Sequence, residues 1–542
     1  MSKFKAYFSS GEHWVWLNAG GIATCLVMVV GLTLFIAYKG LAYFWPNHIV
    51  AIEVEAEGKR SDYLGEIHNT NERKTLEGLK QEWLLKVGNR DLYGIDFKWF
   101  DTDDISPNIE KPKDAVVVER REWGNAFGFY SRIEINGVVT QASDDDFAQI
   151  LEDELERVDG LLDKAHDIQS SEIDAINYEL ESLRLERRRY ELDNELTAEV
   201  EKEIAQQEQA LRDSFEIYQE QMSKIWVDIR GNYLVIKSAD KQEISIGTDL
   251  IVRYYQPNAF GIFGKIGFFF EKIHEFIFDE PREANTEGGV FPAIFGTVMM
   301  VILMSILVTP MGVVAAIYLR EYASQGIATR IVRISVNNLA GVPSIVYGVF
   351  GLGFFVYFLG GSIDDLFYPE AKPAPTFGTP GLIWAAFTLA LLTLPVVIVS
   401  TEEGLARIPK AIKEGSLALG ATKFETLWRT ILPMSSPAIM TGLILAVARA
   451  AGEVAPLMLV GVVKLAPSLP VDGNPPFIHL ERKFMHLGFH IYDVGFQSPN
   501  VEAARPLVYA TALLLIIIIV LLNLLAVRIR NNLREKYKSL EN

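Results

Sequence analysis

The sequence STEEGLARIPKAIKEGSLALGATKFETLWRTILP, residues 400–433, is a polar interruption between two strongly apolar stretches. Its apolar residues recur at helical spacing, and Gly420 permits a chain reversal without the steric cost of a Cβ. We therefore predict a short helix, a turn at Gly420 and a second helix that ends at Pro433. Nine charged residues place this segment in water beside a membrane: Glu402, Glu403, Arg407, Lys410, Lys413, Glu414, Lys423, Glu425 and Arg429.

Six apolar stretches surround this interruption, and each is near the ~20 helical residues needed to cross a hydrocarbon core of ~30 Å. The first, Val15–Tyr38, contains no charged residue. It is longer than a signal-peptide core and has no cleavage site of small residues after it, so we interpret it as an uncleaved signal anchor. The others are predicted at Phe291–Tyr318, Leu339–Leu359, Leu382–Val399, Ile439–Val463 and Pro506–Val527. The chain is thus predicted to be an all-α polytopic membrane protein.

The composition argues against several classes of function. The formal net charge is −18, whereas a nucleic-acid-binding protein needs a basic patch. The single cysteine, Cys25, lies in the first apolar stretch, so we expect no disulfide framework and no cysteine metal cluster. Gly264-Lys265 lacks the glycine spacing of a phosphate-binding loop. We therefore expect no nucleic-acid partner, no metal and no nucleotide or other cofactor bound by this chain.

Residues 46–289 form a polar region that is large enough to bury a core of its own. Alternating apolar and polar residues indicate strands, and Asn136-Gly137 is a typical two-residue hairpin turn. A second hairpin is predicted around Gly231-Asn232. The strands predicted here are Ile49–Val54, Val116–Glu119, Arg132–Ile135, Val227–Arg230 and Tyr233–Ile236.

A long helical segment, about residues 144–224, lies between the two hairpins and makes this region a predicted α+β insertion. Because the flanking strands are expected to share a sheet, the segment should fold back as a helical hairpin or coiled-coil arm, and Ser170-Ser171 is one candidate for its turn. The arm is either a docking surface for another protein or a solvated structural helix pair. Apolar residues at the coiled-coil spacing of four and three are Leu151, Leu155, Val158, Leu162, Ala165, Ile173, Ile176, Leu180 and Leu183.

Residues 260–278 form an amphipathic segment that carries too many charges to span a membrane. We predict that it is a helix lying at the membrane interface. Its apolar residues at helical spacing are Phe263, Ile266, Phe269, Phe270, Ile273, Phe276 and Ile277.

The distribution of Lys and Arg in short loops predicts the orientation of the chain. The short outer loop 360–381 contains only Lys372, so both termini are predicted in the cytoplasm and the large insertion outside. The predicted parts are 1–45, with the first span; 46–289, the insertion; and 290–542, with five spans. The predicted inner basic residues are Lys3, Lys5, Arg320, Arg330, Arg333, Arg407, Lys410, Lys413, Lys423, Arg429, Arg528, Arg530, Arg534, Lys536 and Lys538.

Three motifs resemble a known family of transporters. Glu414-Gly415-Ser416-x-x-x-Gly420, ending in Leu432-Pro433, resembles the EAA loop of ABC-importer permeases. The sequences PREANTEGG at 281–289 and ARAAGEVAPL at 448–457 are similar to the PstA-type permeases of Pst phosphate importers. Ser416 stands where the loop motif has alanine, and Thr430 stands where it has an aliphatic residue. The resemblance extends from Glu280 to the C-terminus but leaves most of the insertion unexplained.

The resemblance implies a non-catalytic subunit with a type I importer permease fold in a bacterial inner membrane. Its loop 400–433, with Glu414, Gly415, Ser416, Gly420 and Pro433, would sit in a groove of an ATPase subunit. ATP and Mg²⁺ would bind only to the ATPase subunits, and inorganic phosphate would be the transported ion. The implied partners are a second permease of PstC type, an ATPase dimer of PstB type, an extracytoplasmic phosphate-binding protein of PstS type and membrane lipid.

Arg449 and Glu453 are four residues apart in a predicted span, so their side chains should share one helix face and pair. Arg449 lies ~15 Å along the helix from Ile439, near the predicted bilayer centre. An ionised group there costs at least ~2.5 kcal/mol, which marks it as functional by default. The planar guanidinium suits a phosphate oxyanion, so we predict that Arg449 and Glu453 line the substrate path. Alternatively, the pair only fixes helix packing or subunit pairing.

Two other functions are compatible with parts of the sequence. A membrane-anchored sensor or scaffold would bind a partner through the outer arm and would keep its function after disruption of the Gly420 loop. An ion-coupled secondary transporter would need no coupling loop, and no inverted repeat is visible in the sequence. Dependence of uptake on ATP rather than on an ion gradient separates this last class from an ABC importer.

Overall fold

The computed structural model describes residues 10–56, 59–75, 78–282, 285–498 and 501–537. Within these residues, six helices are long and apolar enough to cross a membrane, which confirms the predicted number. The charged residues Lys3, Lys5 and Lys538 lie outside the described residues. The six spans run over His13–Ala42, Phe291–Tyr322, Ser344–Phe367, Leu382–Arg407, Lys423–Ala450 and Ala504–Glu535.

A four-stranded antiparallel sheet follows the first helix, and its strands pair in chain order. One face is apolar and buries Val50, Ile52, Val54 and Leu85. The elements are helix α1 (Glu12–Ala42), strands β1 (Ile49–Ala56), β2 (Lys59–Thr75) and β3 (Gly78–Lys86), the short helix α2 (Arg90–Tyr93) and strand β4 (Phe97–Asp101).

A second antiparallel sheet contains β5 (Val116–Arg120), β6 (Ala126–Ile135), β7 (Val138–Gln141), β8 (Tyr233–Lys237), β9 (Glu243–Gly247) and β10 (Ile251–Tyr255). Its order is β10-β5-β6-β8-β9, and β7 also pairs with β6. Asn136-Gly137 joins β6 to β7, with Ile135 opposite Val138. The predicted second hairpin is wrong: Val227–Ile229 are helical, and β8 pairs with β6 and β9.

A long helical arm extends from this sheet. Its outgoing half is α3 (Phe147–Asp167), a π-helical turn (Ile168–Ile173) and α4 (Asp174–Asp193), and its returning half is α5 (Ala198–Ile229). The candidate turn at Ser170-Ser171 is wrong, because both residues lie inside the outgoing helix. The chain reverses at Asn194, whose φ of 55° ends α4 in the left-handed conformation that Asn tolerates. Arg187 and Glu201 form an ion pair between the two halves.

The arm contacts two loops of the membrane part. The Arg189 Nη2 atom lies 2.6 Å from Glu370 Oε1, and the Tyr178 hydroxyl donates to the Pro475 carbonyl at 2.5 Å. Only 4% of the Glu370 side chain is exposed, although 64% of Arg189 is. Burial opposes ionisation of Glu370, but the hydrogen bonds from Arg189 and a backbone N–H outweigh it and lower the pKa of this carboxyl. The loop before Leu382 therefore buries a carboxylate whose charge the arm neutralises.

The contact between the arm and Glu370 should be lost in acid. Because the pKa of Glu370 is lowered from 4.5 in the folded chain, the ion pair contributes fully above that value and weakens as the pH falls through the lowered pKa. Spin labels at Leu192→Cys and Lys372→Cys, in a Cys25→Ser background, should give one narrow distance at about pH 7 and a broad distribution at about pH 3. Glu370→Gln should broaden the distribution at both pH values; a distance that stays narrow in this variant contradicts the prediction.

Helix α6 (Ile262–Phe278) lies between the sheets and the membrane helices. Phe268 and Phe276 are buried, whereas Phe263, Ile266 and Phe270 are exposed along one side. An exposed apolar stripe on an amphipathic helix is typical of a membrane interface, so it favours the predicted interfacial position.

A buried ionic cluster joins this helix to its surroundings. The Glu275 carboxylate accepts hydrogen bonds from Lys272 at 2.9 Å, from Arg253 at 3.2 Å and from Arg282. Lys272 also donates to Glu119 on β5 at 2.6 Å. Burial alone would raise the pKa of Glu275, but the neighbouring cations lower it. Because removal of one member leaves an unpaired buried charge, the cluster fixes α6 against the second sheet.

The segment 281–289 follows this ionic cluster and also connects different parts of the chain. It forms β11 (Pro281–Arg282) and β12 (Glu287–Gly288), and Lys86 on β3 lies 3.7 Å from Glu287. Asn285 Nδ2 donates to the Lys464 carbonyl at 2.6 Å. The motif residues Glu283 and Ala284 lie outside the described residues. The hairpin thus contacts both the first sheet and a loop of the membrane part.

The membrane part contains eleven further helices, several of them continued by π-helical turns. They are α7 (Phe291–Ile317), α8 (Ile327–Leu339), α9 (Ser344–Phe350), α10 (Gly361–Phe367), α11 (Leu382–Arg407), α12 (Lys410–Ala418), α13 (Lys423–Thr426), α14 (Leu432–Ala450), α15 (Leu457–Val460), α16 (Leu487–Tyr492) and α17 (Val501–Tyr537). The π-helical turns are Tyr318–Tyr322, Gly351–Gly360, Leu427–Ile431 and Asp493–Gln497.

Two predicted spans have wrong bounds. The span predicted from Leu339 starts instead at Ser344, because Pro343 cannot continue the preceding helix α8 and stands at the N-cap of α9. The span predicted at Ile439–Val463 starts at Lys423 and ends at Ala450. Average hydrophobicity does not register the break after Ala450, because the following residues are still mostly apolar.

Helices α7, α11 and α14 form the core of the membrane part. Small residues permit close contact: a Cβ on Gly442 would lie 2.7 Å from the Ser400 Cβ, and one on Gly404 would lie 2.5 Å from the Ala438 Cβ. Close approach through small residues is how helices associate in lipid. Helix α1 packs on α17 in the same way, at Gly40.

Candidate functional site

The segment between α11 and α14 is a compact projection that begins with α12. Gly420 has a φ of 88°, the left-handed conformation that the predicted turn requires. Thr422 then caps the next helix: its Oγ1 accepts from the Glu425 N–H at 3.2 Å, and Glu425 Oε2 accepts from the Thr422 N–H at 2.9 Å. This capping box starts a helix that continues through α13 and Leu427–Ile431 into α14.

Pro433 does not end the second helix, so that prediction is wrong. The helix is continuous from Lys423 to Ala450, and Pro433 lies in the first turn of α14. The preceding turn, Leu427–Ile431, is π-helical. The wider π turn changes the hydrogen-bond partners there, which accommodates the missing N–H and the ring of Pro433.

The predicted loop residues lie on the surface of this projection. Glu414 and Gly415 are exposed on α12, and the Ser416 Oγ lies 2.9 Å from Thr426 Oγ1. Leu419 is 91% exposed beside Gly420. A leucine so exposed at the end of a projection is a contact that another molecule can bury.

Glu321, which sequence reasoning missed, anchors the projection to the end of the α7 span. Lys413 on α12 forms an ion pair with the Glu321 carboxylate, and Lys423 donates to the Glu321 carbonyl at 2.6 Å. The Lys423 ammonium also lies 4.2 Å from the centre of the Tyr322 ring. These contacts hold both ends of the Gly420 turn on one residue.

Arg333, on α8, is a second residue of this anchor that the sequence analysis used only to predict orientation. Its Nε lies 3.2 Å from Glu402 Oε1 on α11, and its Nη2 donates to the Leu319 carbonyl at 3.1 Å. Neither Glu321 nor Arg333 belongs to a motif or a periodic pattern in the sequence, so no sequence signal pointed to either anchor.

Removing the carboxylate of Glu321 should loosen the projection without unfolding the chain. Glu321→Gln loses the charge that pairs with Lys413, a hydrogen bond between charged groups worth about 1.5–3 kcal/mol. We expect amide hydrogen exchange in residues 410–422 to become about tenfold faster. Glu403→Gln, an exposed acid on α11, is the matched control and should leave exchange unchanged. Equal exchange in both variants contradicts the anchor.

Arg449 lies in the last turn of the same helix, and Glu453 lies just beyond its end. Helix α14 ends at Ala450, so the two residues do not share one helix as predicted; the Arg449 Nε meets Glu453 Oε1 across the terminal turn at 3.5 Å. The Arg449 side chain is 34% exposed and that of Glu453 is 20% exposed. At a helix C-terminus the cation also interacts favourably with the helix dipole.

The break after Ala450 packs tightly against the span that begins with α9. A Cβ on Gly348 would lie 2.7 Å from the Pro456 Cα, and one on Gly351 would lie 2.3 Å from the Thr388 Oγ1 and 3.0 Å from the Val460 Cγ1. The Val460 carbonyl accepts from the Gly381 N–H at 2.9 Å. Three parts of the chain therefore hold the segment that follows Glu453.

Two buried histidines lie near the N-terminal parts of α7 and α17. His490 Nδ1 is 3.4 Å from the Thr511 Oγ1, and Asp493 pairs with Lys464 at 3.0 Å. Burial lowers the pKa of His486 and of His490 to about 4, so both rings are neutral at pH 7. In the part of the chain that the structure describes, no group of three or more His, Cys, Asp or Glu residues is arranged to hold a metal ion.

The helix from Lys423 to Ala450 therefore connects two candidate functional regions, one at each end. The projection with the exposed Leu419, anchored on Glu321, lies at one end of the helix, and Arg449 with its weakly held carboxylate partner lies at the other. Because the helix is continuous from Lys423 to Ala450, a displacement of the projection can be transmitted along it to Arg449.

The sequence was compared with families and known proteins. Residues 308–539 match the family model described as binding-protein-dependent transport system inner membrane component. The chain is 34% identical over 247 residues to a phosphate transport system permease protein PstA 1 of Mycobacterium tuberculosis, covering 45% of this chain and 71% of that protein. It is 31% identical over 314 residues to PstA of Yersinia pestis, covering 56% of this chain and 97% of that protein.

Further comparisons cover shorter parts. A probable ABC transporter permease protein YqgH of Bacillus subtilis is 31% identical over 193 residues, and the chain covers 59% of its length. Among solved structures, the inward-facing MetNI methionine ABC transporter is similar with a TM-score of 0.33 at 19% identity, over 44% of this chain and 94% of that chain.

Proposed function

We propose a function from the premise that this chain belongs to the family of binding-protein-dependent transport system inner membrane components, as a PstA-type permease of ABC transporters. Permeases of this family are non-catalytic membrane subunits, and partner ATPases hydrolyse the ATP. The chain is a polytopic inner-membrane protein. Its specific function, in this proposal, is to form half of a transmembrane path for inorganic phosphate.

The observation that carries the proposal is the continuous helix from Lys423 to Ala450. It joins the exposed Leu419 projection to Arg449 over about 40 Å, at 1.5 Å per residue. A subunit that couples ATP hydrolysis to transport needs such a mechanical connection between the ATPase contact and the substrate path. The relatives named for phosphate transport support phosphate as the substrate.

Arg449 would bind the passing phosphate, with Glu453 as its partner between passages. The guanidinium fork can donate two charge-assisted hydrogen bonds to phosphate oxygens. Its contact with Glu453, at 3.5 Å, is longer than such a bond, and one third of the side chain is exposed, so a competing anion can reach it. Transient binding of this kind permits both entry and release.

The projection would dock in a groove of the ATPase subunit, as the EAA-loop motif implies. Leu419 and Leu417 would be buried there, and Glu414, Gly415, Ser416, Gly420 and Pro433 would shape the contact. A difference in affinity between the ATP-bound and the ATP-free groove would then shift the path between its outward-open and inward-open states.

The proposed topology places both termini and the projection in the cytoplasm and residues 46–289 outside the membrane, as an α+β insertion with a helical arm. The full importer would add a PstC-type permease, a PstB-type ATPase dimer and a PstS-type phosphate-binding protein. ATP and Mg²⁺ would bind to the ATPase subunits.

Reconstitution tests this proposal directly. The complex in lipid vesicles, supplied with the phosphate-binding protein and ATP, should accumulate radioactive phosphate, and collapse of all ion gradients should not stop it. Sulfate at equal concentration should not compete. Uptake that persists without ATP but requires an ion gradient would overturn the importer function.

The second candidate, a membrane-anchored sensor or scaffold, is favoured by the contacts of the arm with Glu370 and Pro475. These contacts could report binding at the arm to the membrane helices. A sensor keeps its signalling output when the Gly420 projection is disrupted, whereas an importer loses uptake. Gly420→Val, which disfavours the φ of 88° at this turn, followed by an uptake assay, separates the two.

A further inference from the structure

The helical arm and the three aspartates that directly precede it carry nearly all of the net charge of the chain. Residues 144–229 contain 26 Asp and Glu but only 9 Lys and Arg, a net charge of −17, against −18 for the whole chain. The remaining residues are thus almost neutral. A surface charge of this size attracts a basic partner and speeds its association.

Five of these carboxylates form an acidic stripe on one face of α3. Their spacings of four, three, four and four residues place all of them within about 80° of one another around the helix. All five are exposed, and within the described chain only Asp159 has a basic partner within 4 Å, Arg121 at 3.2 Å. Like charges at these spacings repel, and a basic partner relieves that repulsion. The acidic stripe is Glu152, Glu156, Asp159, Asp163 and Asp167.

The contacts of α4 attach the arm to two loops of the membrane part. Arg189 holds the buried Glu370 before α11, and Tyr178 holds Pro475 in the loop after α15. These loops are joined to the break beside Glu453: Gly381 donates to Val460, and Leu382 donates to the Arg482 carbonyl at 2.9 Å. A protein that binds the arm is therefore held near these two loops and the break beside Glu453.

The chemistry of the arm excludes the transported ion as its ligand, because a −17 surface repels phosphate. The family instead requires a binding protein that delivers substrate to the membrane component. A binding protein with a basic face would have the charge complementary to the arm. It must also contact the permease to deliver its substrate.

We propose that the acidic stripe of α3 is a docking surface for the solute-binding protein of this importer, which presents a basic face to it. This inference rests on the proposed function, because it requires the arm to lie outside the membrane. Docking there steers the binding protein to the loops that Arg189 and Tyr178 hold.

The test neutralises the stripe in the full complex. The stripe variant carries Glu152→Gln, Glu156→Gln, Asp159→Asn, Asp163→Asn and Asp167→Asn. The control variant removes five exposed carboxylates from α5 instead, by Glu199→Gln, Glu203→Gln, Asp213→Asn, Glu216→Gln and Glu220→Gln. Binding of the purified phosphate-binding protein to each immobilised complex is measured at about 0.02 M and about 0.3 M salt.

We expect the stripe variant to bind with an association rate about tenfold lower at low salt and to lose most of the salt dependence. The control should stay within about twofold of the original protein. Equal binding by the stripe variant and the original complex overturns the proposal. So does loss of the second permease from the stripe variant on purification, which would assign the stripe to contact between the permeases.

Failure of the proposed function would look different. Phosphate uptake by the original complex, measured with saturating binding protein, tests the importer function by itself. If the original complex takes up phosphate and the stripe variant binds the phosphate-binding protein normally, only the docking surface is refuted. If the original complex takes up no phosphate, the importer function is refuted.

Discussion

Phosphate uptake by a complex with Arg449→Gln is expected to fall about 100-fold, with assembly unchanged. Two charge-assisted hydrogen bonds of about 1.5 kcal/mol each amount to about 3 kcal/mol, which is about two powers of ten in rate. Assembly should persist, because the Arg449 side chain is 34% exposed and, among the residues that the structure describes, its one ion pair is the 3.5 Å approach to Glu453. The measurement is ATP-dependent uptake of radioactive phosphate by vesicles containing equal amounts of complex.

A double variant separates the substrate path from a packing role. If the pair only fixed packing, replacing both members by Arg449→Gln and Glu453→Gln would remove the unpaired charge and restore uptake. If Arg449 binds phosphate in the path, the double variant stays inactive. Arg449→Lys keeps the positive charge but loses the planar guanidinium, so it should retain only part of the uptake. Arg505→Gln, at an exposed arginine in the first turn of the last span, is the matched control and should import normally. Restored uptake in the double variant would end the proposal for Arg449.

The membrane part was predictable because its signals are local. Six apolar stretches of the required length specify six spans, and the nine charges of 400–433 set the projection apart from them. Gly420 was recognisable for the same reason, because a reversal between two helices favours a residue that adopts positive φ at no cost.

Predictions failed where a backbone irregularity overrides the local rule. Pro433 is an ordinary helix terminator, yet the π turn before it lets the helix continue. Ser170-Ser171 resembles a helix start, yet another π turn carries the helix past it to Asn194. The apolar run through Pro456 hides the end of α14 at Ala450.

Contacts between distant residues were beyond sequence reasoning. Arg189 and Glu370 are 181 positions apart, and Lys413 and Glu321 are 92 apart, so no periodicity relates them. Each pair joins an arm or a loop to a carboxylate that is less than one tenth exposed. Charged residues at the end of a span or between spans are expected to be solvated, and only the fold shows that these two carboxylates are buried.

These buried carboxylates also explain how the two ends of the molecule can be coupled. Glu370 fixes the loop before α11, and Glu321 fixes the projection after it. Helix α11 lies between them and packs against α14. In the proposed importer, movement at either anchor would be passed through these helices to Arg449.

Leu419→Asp is expected to weaken attachment of the ATPase subunits by about 10- to 100-fold and to abolish uptake. Leu419 is 91% exposed, so a charge there costs the isolated chain little stability. Burial of a leucine in a groove of a partner is worth about 1.5–3 kcal/mol, and that contribution is lost. The affinity of purified ATPase for the reconstituted permease pair, measured with and without the substitution, gives the effect directly.

The matched control is Leu79→Asp, which places the same charge on an exposed leucine of β3 in the first sheet. It should leave ATPase affinity unchanged. Gly420→Asn tests the turn separately, because Asn tolerates the φ of 88° and should keep most of the affinity, whereas Gly420→Val should lose it. If Leu419→Asp bound the ATPase as tightly as Leu79→Asp, Leu419 on the projection would not be the coupling contact. The ATPase would then have to move the helix from Lys423 to Ala450 through another surface.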